Sequence, residues 1–263
     1  MDRKGIILAG GSGSRLFPIT KVVNKHLLPI YNKPMIYYSL TTLMLAGIRQ
    51  YLLISTPDDI GAFEKLLGNG KQWGIRIKYE IQKTPGGIAE AFIIGRKFLA
   101  NSNSALILGD NIFYGNDLTK ILAKANKNKT GATIFPYPVK DPTGFGVVEF
   151  SKEGKVIKIE EKPKKPKSNY VVPGLYFYDQ DVLEIVKTIE PSTRGELEIT
   201  DVNNQYLKKK KLTTEILGRG IAWLDTGTPE GLHKASSFVC AVEDRQGMKI
   251  ACPDEISRNM NFT

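Results

Sequence analysis

Cysteine and long apolar runs are both scarce in this 263-residue sequence. The two cysteines, Cys240 and Cys252, provide neither a disulfide framework nor the paired spacing of a zinc site, so we expect two reduced thiols. No segment approaches the roughly 20 consecutive apolar residues that a membrane-spanning helix needs. The apolar run at residues 6–9 is also too short for a signal peptide. We therefore expect a cytoplasmic protein with no membrane partner.

Acidic residues are fewer than basic residues in this sequence. The sequence holds 37 lysines and arginines against 27 aspartates and glutamates, which gives a formal net charge of +10. Such an excess favours anionic partners, such as nucleic acids, nucleotides or sugar phosphates. Lysines cluster at residues 162–167 and 208–211, but no aromatic residues are interleaved with them, as a base-stacking groove requires. We therefore expect no nucleic-acid partner and favour small phosphorylated ligands.

The first half of the chain alternates short apolar runs with helical patterns. The runs predict strands and the patterns predict helices, with strands at 6–9, 51–55, 75–81 and 105–108 and helices at 35–46, 58–67 and 88–99. This alternation implies right-handed crossovers between parallel strands. It predicts an α/β fold with a Rossmann-like, mostly parallel central sheet flanked by helices.

Closely spaced strands dominate the second half. We expect strands at 133–139, 147–150, 156–160, 171–178 and 221–224, and helices at 180–189, 196–209 and 229–244. No internal repeat or low-complexity linker marks a boundary. The sequence therefore predicts a single domain over residues 1–263, with extra strands added to the α/β sheet.

A glycine-rich turn, Gly10-Gly11-Ser12-Gly13-Ser14-Arg15, follows the first predicted strand. Glycines let a backbone approach phosphates and present its N–H groups to them. A dinucleotide fingerprint would have a third glycine or alanine where Leu16 stands, and the Gly-Lys-Ser/Thr ending of an NTPase loop is missing. Arg15 suits a triphosphate, because its guanidinium fork matches phosphate oxygens. A tight turn without a ligand remains the alternative.

Three further charged features have an ordinary and a functional interpretation. Lys25 would usually be a surface lysine, but it lies ten residues beyond the arginine of the turn. Asp110 and Asp225 each follow a predicted buried strand, at the edge where open α/β sheets bind ligands. They could hold Mg²⁺ or could simply serve a turn or a helix cap. The run at residues 159–164 would by default be a solvated charge cluster.

Taken together, these motifs resemble the sugar-nucleotide pyrophosphorylases. The resemblance rests on five motifs in order, Gly10-Gly11-x-Gly13-x-Arg15-Leu16, Lys25 ahead of Leu27-Leu28-Pro29, Gly109-Asp110-Asn111, Glu161-Lys162-Pro163 and Trp223-Leu224-Asp225-Thr226-Gly227. The segment from Arg194 to Asp201 is similar to that of the glucose-1-phosphate thymidylyltransferases in particular. The resemblance runs from about Gly5 to Ile256.

The resemblance implies transfer of a nucleotidyl group from dTTP to glucose 1-phosphate with release of pyrophosphate. The implied nucleotide-binding residues are Leu8, Gly10, Gly11, Gly13, Ser14, Arg15, Lys25, His26, Gln82, Pro85, Gly87 and Asp110. The implied sugar-phosphate-binding residues are Gly146, Glu161, Lys162, Val172 and Arg194. Mg²⁺ would be held by Asp110 and Asp225, and the catalytic cations would be Arg15, Lys25, Lys162 and Arg194.

The resemblance also implies how these roles divide along the chain. The nucleotide part would span about residues 1–130 and the sugar part about 131–263, within a homotetramer or homodimer that serves nucleotide-sugar synthesis such as the dTDP-rhamnose pathway. Gln82 and the backbone of Gly87 would recognise thymine, since a side-chain amide offers both a donor and an acceptor. The sequence departs from the commoner family pattern at four positions, His26, Gly86, Glu90 and Pro173.

The chemistry of this reaction agrees with the residues present. The nucleophile is a phosphate oxygen whose pKa is about 6, so it is mostly dianionic at neutral pH and needs no general base. Cations are needed instead, to bring two anions together and to stabilise the leaving pyrophosphate. The alternatives are use of UTP or another sugar 1-phosphate, a non-catalytic nucleotide-binding homologue, or a dehydrogenase. A dehydrogenase would need an acidic residue where Ser55-Thr56-Pro57 stands.

Overall fold

A computed structural model describes residues 2–263 of the chain. The strands are β1 (Lys4–Leu8), β2 (Pro29–Ile30), β3 (Lys33–Pro34), β4 (Gln50–Ser55), β5 (Arg76–Ile81), β6 (Ser104–Leu108), β7 (Asn111–Gly115), β8 (Ala132–Ile134), β9 (Tyr137–Pro138), β10 (Gly146–Phe150), β11 (Val156–Glu161), β12 (Tyr170–Val171), β13 (Leu175–Tyr178), β14 (Leu212–Thr214) and β15 (Ile221–Asp225). The α-helices are α1 (Ile36–Leu45), α2 (Ile60–Leu67), α3 (Glu90–Ile94), α4 (Arg96–Leu99), α5 (Leu118–Lys127), α6 (Val182–Ile185), α7 (Ile199–Lys208), α8 (Pro229–Gln246) and α9 (Pro253–Asn259).

Seven strands form the central sheet, in the order β14-β8-β13-β6-β1-β4-β5. Only β13 runs antiparallel to its neighbours in this sheet. Successive residues of β1 enter different cores, because Ile6 packs on one face of the sheet and Ile7 on the other. Both side chains are completely buried. The prediction of a mostly parallel α/β sheet covered on both faces is therefore confirmed.

A second, antiparallel sheet has the order β11-β10-β12-β9, and β7 pairs with β15 in a separate two-stranded ribbon. The predictions of single strands at 133–139 and 171–178 were wrong in one respect. Each run leaves one sheet and enters the other, so that β8 and β13 lie in the central sheet while β9 and β12 lie in the second. The second crossing occurs at Gly174, where a Cβ would lie 2.6 Å from the Leu108 side chain.

The helices follow the predicted pattern with four corrections, one of which is that α9 was not predicted. The helix predicted at 88–99 is interrupted at Gly95, which packs against Ile6 and the carbonyl of Ala91. The helix predicted at 180–189 is reduced to α6. Residues 111–127, for which no element was predicted, form β7 and α5. Within the described residues, no helix is long and apolar enough to cross a bilayer.

Candidate active site

Two adjoining cavities open at the carboxyl ends of the central strands. Strand β1 lies between β4 and β6, where the chain order of an open α/β sheet reverses and ligands bind. Ile88, Leu108, Asp110 and Glu196 line both cavities, which therefore form one cleft. The predicted residues in the first cavity are Leu8, Gly10, Gly11, Lys25, His26, Gln82, Pro85, Gly87 and Asp110. Those in the second are Ser14, Arg15, Asp110, Gly146, Glu161, Lys162, Val172, Arg194 and Asp225.

Gly13 is the one predicted site residue that lines neither cavity. Its carbonyl accepts a hydrogen bond from the Thr20 hydroxyl at 2.9 Å, which holds the glycine-rich turn closed. Gly11 and Gly13 have φ values of 90° and 59°, a region that L side chains rarely adopt. Arg15 follows on a short 3₁₀ turn, and its guanidinium lies against Gly227, where a Cβ would clash with it. The turn thus presents Arg15 to the second cavity.

Lys25 and Asp110 form an ion pair at the junction of the cavities. The Nζ of Lys25 lies 2.5 Å from Oδ2 of Asp110, and both side chains are largely buried. Asn111 donates a second hydrogen bond to Asp110 at 3.0 Å. Burial raises the pKa of Asp110, but the charge of Lys25 and these hydrogen bonds outweigh it and hold the pKa well below its usual range. The carboxylate is therefore ionised wherever the protein is folded near neutral pH.

Asp225 also lies at this junction. The sequence predicted that it follows a strand of the central sheet, but its strand lies outside that sheet. Its strand, β15, belongs to the antiparallel ribbon, where Asp225 pairs with Asn111. The hydroxyl of the next residue, Thr226, donates to the carbonyl of Asp110 at 2.8 Å. Burial and the nearby charge of Asp110 raise the pKa of Asp225. Two like charges are thus held close together beside the cleft.

This pair of carboxylates fits a magnesium ion. Mg²⁺ usually takes one or two carboxylates from a protein and completes its shell with water and phosphate oxygens. No group of three or more His, Cys, Asp and Glu side chains with metal-binding geometry exists among residues 2–263. Asp110 and Asp225 could therefore hold a cation that also binds a phosphorylated ligand, rather than one enclosed by protein alone.

His26 lies under the first cavity as a buried, neutral ring. Burial, aided by the charge of Lys25, lowers its pKa to about 3. Its Nδ1 lies 2.8 Å from Oδ1 of Asn24, and the ring packs against Gly109, where a Cβ would lie 2.6 Å from Cδ2. His26 therefore shapes the floor of the cavity and contributes no positive charge.

Gln82 forms the far wall of the first cavity. It directly follows β5, and its backbone N–H donates to Ser55 at 2.8 Å. Its side-chain carbonyl stands against Gly10, where a Cβ would lie 2.7 Å from Oε1. Its amide nitrogen donates to Glu90 at 2.6 Å. The amide therefore has one end held by protein and the other turned toward the glycine-rich turn.

Glu161 and Lys162 lie at the end of β11, in the second cavity. Glu161 accepts a hydrogen bond from the Thr200 hydroxyl at 2.6 Å. Lys162 has a φ of 43°, in the left-handed region, and its N–H donates to Phe145 at 3.0 Å. Such strained backbone is common where structure serves a site. The turn leaves the ammonium half-exposed, 3.7 Å from Glu161.

Arg194 projects from the loop before α7 into a group of carboxylates. Its Nη2 lies 2.8 Å from Glu198, 3.5 Å from Glu161 and 3.6 Å from Glu196. The hydrogen bond to Glu198 raises the pKa of the guanidinium. The second cavity therefore has three cationic groups, Arg15, Lys162 and Arg194, and the last two lie beside the carboxylate of Glu161.

Comparison with known proteins identifies the family. The family model described as Nucleotidyl transferase matches residues 4–242. A glucose-1-phosphate thymidylyltransferase from Neisseria gonorrhoeae is 57% identical over 254 residues, which cover 97% of this chain and 88% of that protein. The Mycobacterium tuberculosis protein of the same name is 53% identical over 259 residues, 98% of this chain and 90% of the relative. The chain belongs to the glucose-1-phosphate thymidylyltransferases, within the nucleotidyl transferase family.

Solved structures agree with this membership. A Bacillus anthracis structure, assigned as a glucose-1-phosphate thymidylyltransferase and solved in complex with a sucrose, has a TM-score of 0.85 and 41% identity, covering 96% of this chain and 99% of that one. A UDP-glucose pyrophosphorylase complexed with UDP-glucose has a TM-score of 0.80 and 25% identity, covering 94% and 100%. The predicted family and the prediction of an enzyme are confirmed.

Four of the residues in or beside the cleft that had no role predicted from sequence contact predicted site residues. Asn111, Glu196, Glu198 and Thr200 lie inside motifs that were recognised, yet their contacts depend on the fold. Asn111, for example, accepts from the indole of Trp223 at 2.7 Å and donates to Asp110. The signal that could have found them is their position, because each adjoins or lies close to a predicted site residue.

Proposed function

We propose that the chain transfers a thymidylyl group from dTTP to glucose 1-phosphate and releases pyrophosphate. The observation that carries this proposal is the single cleft that gathers all but one of the predicted site residues. Lys25 lines the first cavity, and Arg15, Lys162 and Arg194 line the second. The two carboxylates lie at the junction between them.

The cleft provides electrostatic stabilisation and positioning rather than a general base. The attacking phosphate oxygen of glucose 1-phosphate is mostly ionised at neutral pH, so no proton has to be removed from it. The histidine in the cleft, His26, is buried and neutral, which suits this chemistry. The main barrier is the repulsion between two anions, together with the charge that develops on the leaving pyrophosphate.

On the nucleotide side, we propose that the turn at residues 10–15 receives the triphosphate. The left-handed glycines leave the backbone uncovered, and Arg15 and Lys25 supply two positive charges beside it. Gln82, Pro85 and the backbone of Gly87 line the same cavity and would surround the base. Because thymine and uracil share the same imide edge, UTP is the second candidate nucleotide.

On the sugar side, Lys162 and Arg194 would hold the phosphate of glucose 1-phosphate. Both line the second cavity together with Glu161, Gly146 and Val172. The carboxylate of Glu161 is an acceptor for sugar hydroxyls, and Thr200 fixes its orientation. A phosphate that binds Arg194 would take the place of the carboxylates around the guanidinium. Its hydrogen bonds to Arg194 would be charge-assisted, as those of the carboxylates are.

We propose Asp110 and Asp225 as the ligands of Mg²⁺. The ion, when bound, would neutralise phosphate charge during transfer. In the ion's absence, Lys25 already balances Asp110, while the raised pKa of Asp225 reflects burial beside a like charge. The chain's own contribution is to hold both carboxylates beside the second cavity, Asp110 through Asn111 and Asp225 through the N–H of Gly227.

The proposal also covers the organisation of the chain. We propose one domain over residues 1–263, in which about 1–130 bind the nucleotide and about 131–263 bind the sugar. The second sheet and the loop before α7 supply the predicted sugar residues, as this division requires. A homotetramer or homodimer is expected, and light scattering of the purified protein would measure the number of copies.

The reaction can be tested directly by measuring pyrophosphate release. We expect release to require both dTTP and glucose 1-phosphate, and to stop when a chelator removes divalent cations. Replacing dTTP by UTP tests the second candidate nucleotide under identical conditions. Turnover that continues in excess chelator, or that depends on NAD, would contradict the proposed function.

A further inference from the structure

The carboxylate of Glu90, at the start of α3, lies between Gln82 and Gly86. The amide nitrogen of Gln82 is 2.6 Å from Oε2 of Glu90. The backbone N–H of Gly86 donates to the same oxygen at 3.1 Å. One carboxylate oxygen thus accepts two hydrogen bonds. One comes from a side chain that lines the first cavity, and the other comes from the backbone of the adjoining loop.

The Glu90 carboxylate decides which way the Gln82 amide points. A free glutamine amide can present either its oxygen or its nitrogen by turning half a revolution. Oε2 of Glu90 accepts from a backbone N–H, whose direction is fixed, and a carboxylate has no donor of its own. The group of Gln82 that faces it must therefore be the amide nitrogen. Its carbonyl oxygen must face the other way, toward Gly10 and the cavity.

Gly86 also makes the space that Glu90 occupies. A Cβ at Gly86 would lie 2.5 Å from Oε2 and 2.6 Å from Cδ of Glu90. The backbone of Gly86 is held in turn by Leu197, whose N–H donates to its carbonyl at 2.8 Å. Gly86 and Glu90 are two of the positions at which the sequence departs from the commoner family pattern. Their contact places both departures at the same point beside Gln82.

We propose that Glu90 is a positioning residue that selects the base. By fixing the Gln82 carbonyl toward the cavity, it favours a pyrimidine that carries a hydrogen at N3, as thymine and uracil do. Cytosine has a lone pair at N3, which would leave two acceptors facing each other without a proton. Such an unpaired buried contact weakens binding by about ten- to a hundredfold. This inference rests on the proposed function, in which Gln82 reads the base.

The test compares dTTP with dCTP, which carry the same triphosphate. Dissociation constants by calorimetry and kcat/KM values would be measured for the unmodified chain, Glu90→Leu and Glu90→Gln. Leucine accepts no hydrogen bond, so the Gln82 amide is free to turn and the preference for dTTP should fall about tenfold or more. Glutamine keeps one acceptor oxygen for Gly86 and Gln82, so Glu90→Gln should keep most of the preference.

A matched control is Glu80→Gln, which removes the same charge from an exposed position on β5 and should leave the preference unchanged. A merely structural role for Glu90 would weaken both nucleotides equally. An unchanged ratio of the two dissociation constants in Glu90→Leu would therefore overturn the inference. Failure of the proposed function would look different, because dTTP would then not be turned over by the unmodified chain. The ratio of dissociation constants would still test Glu90, since binding needs no turnover.

Discussion

The two cavities of the cleft are built in different ways, the first being the proposed nucleotide cavity and the second the proposed sugar cavity. The nucleotide cavity lies on the ends of buried parallel strands, and its polar groups are already paired inside the protein, as Lys25 is with Asp110 and Gln82 with Glu90. The sugar cavity lies on a small antiparallel sheet and a loop, and its cations Lys162 and Arg194 are 45% and 41% exposed. The difference indicates that the polar groups of one cavity are paired in buried positions, whereas the cations of the other are paired near the surface.

The largest expected effect concerns Asp225, where the two cavities meet. We expect Asp225→Asn to leave the fold intact and to lower the rate of pyrophosphate release at least about a hundredfold, the scale of one strong electrostatic contact in a transition state. The measurement is turnover over a range of Mg²⁺ concentrations, with circular dichroism as the test of folding. Asp244→Asn, on the exposed face of α8, is the control. An unchanged rate at limiting Mg²⁺ would refute the metal role.

A smaller effect should be confined to the sugar cavity. Lys162→Ala removes a cation but keeps a Cβ, so the strain of its positive φ is unchanged. We expect the KM for glucose 1-phosphate to rise about ten- to a hundredfold, the value of a charge-assisted hydrogen bond, while the dissociation constant of dTTP is unaffected. Lys164→Ala in the same exposed run serves as the control. If Lys162→Ala weakened the binding of glucose 1-phosphate and dTTP equally, the two cavities would not bind the two substrates separately.

A third effect belongs to the nucleotide cavity alone and concerns pH. The pKa of His26 is about 3 in the folded protein, below its ordinary value of 6.5. Between these values the unfolded chain binds a proton that the folded protein does not, so stability falls as the pH falls. We expect His26 to account for about 2 kcal/mol of lost unfolding free energy between pH 7 and pH 5.

Denaturant unfolding at the two pH values measures this loss. His26→Gln should remove it, because glutamine does not titrate. The exposed His233 provides a matched control, and His233→Gln should retain the full pH dependence. If both variants lose stability equally between pH 7 and pH 5, another group is responsible and the nucleotide cavity is less sealed than the burial of His26 indicates.

The smallest effect should come from Thr200, which orients Glu161 through one hydrogen bond. Thr200→Val keeps the shape of the side chain and removes the hydroxyl. Loss of a single hydrogen bond is worth about 1 kcal/mol, so we expect about a fivefold rise in the KM for glucose 1-phosphate and no change for dTTP. Thr188→Val, outside the cleft, is the control. A rise as large as that of Lys162→Ala would show that Glu161 is as important as the cations.

The nucleotide cavity was the easier one to predict from sequence, for a physical reason. Leu8 ends the strand that precedes the glycine-rich turn, Gln82 follows another strand with a visible pattern, and parallel strands bring such ends together. The sugar cavity depends on where two apparent strands change sheets. A proline or glycine inside an apolar run, such as Gly174, indicates an interruption but does not say which sheet follows.

The other differences between the predicted and the observed elements depend on whether the local sequence carried a recognisable pattern. Helix α5 could have been predicted, because Leu118, Leu122 and Ala125 are buried at helical spacing. The ribbon that carries Asp225 could not, since its partner strand β7 lies far away in sequence. Nor could the contact of Glu90 with Gly86, because it depends on side-chain packing within a loop.

The pairing of β7 with β15 also means that the proposed site forms late in folding. Thr226 and Asp110, which meet there, are 116 positions apart in the chain. A contact of such long range must close nearly half of the chain into a loop, and contacts of this kind form slowly. During synthesis, the first carboxylate emerges long before its partner strand exists. The two aspartates of the proposed magnesium site therefore cannot come together until the segment that holds Asp225 and Thr226 has been made.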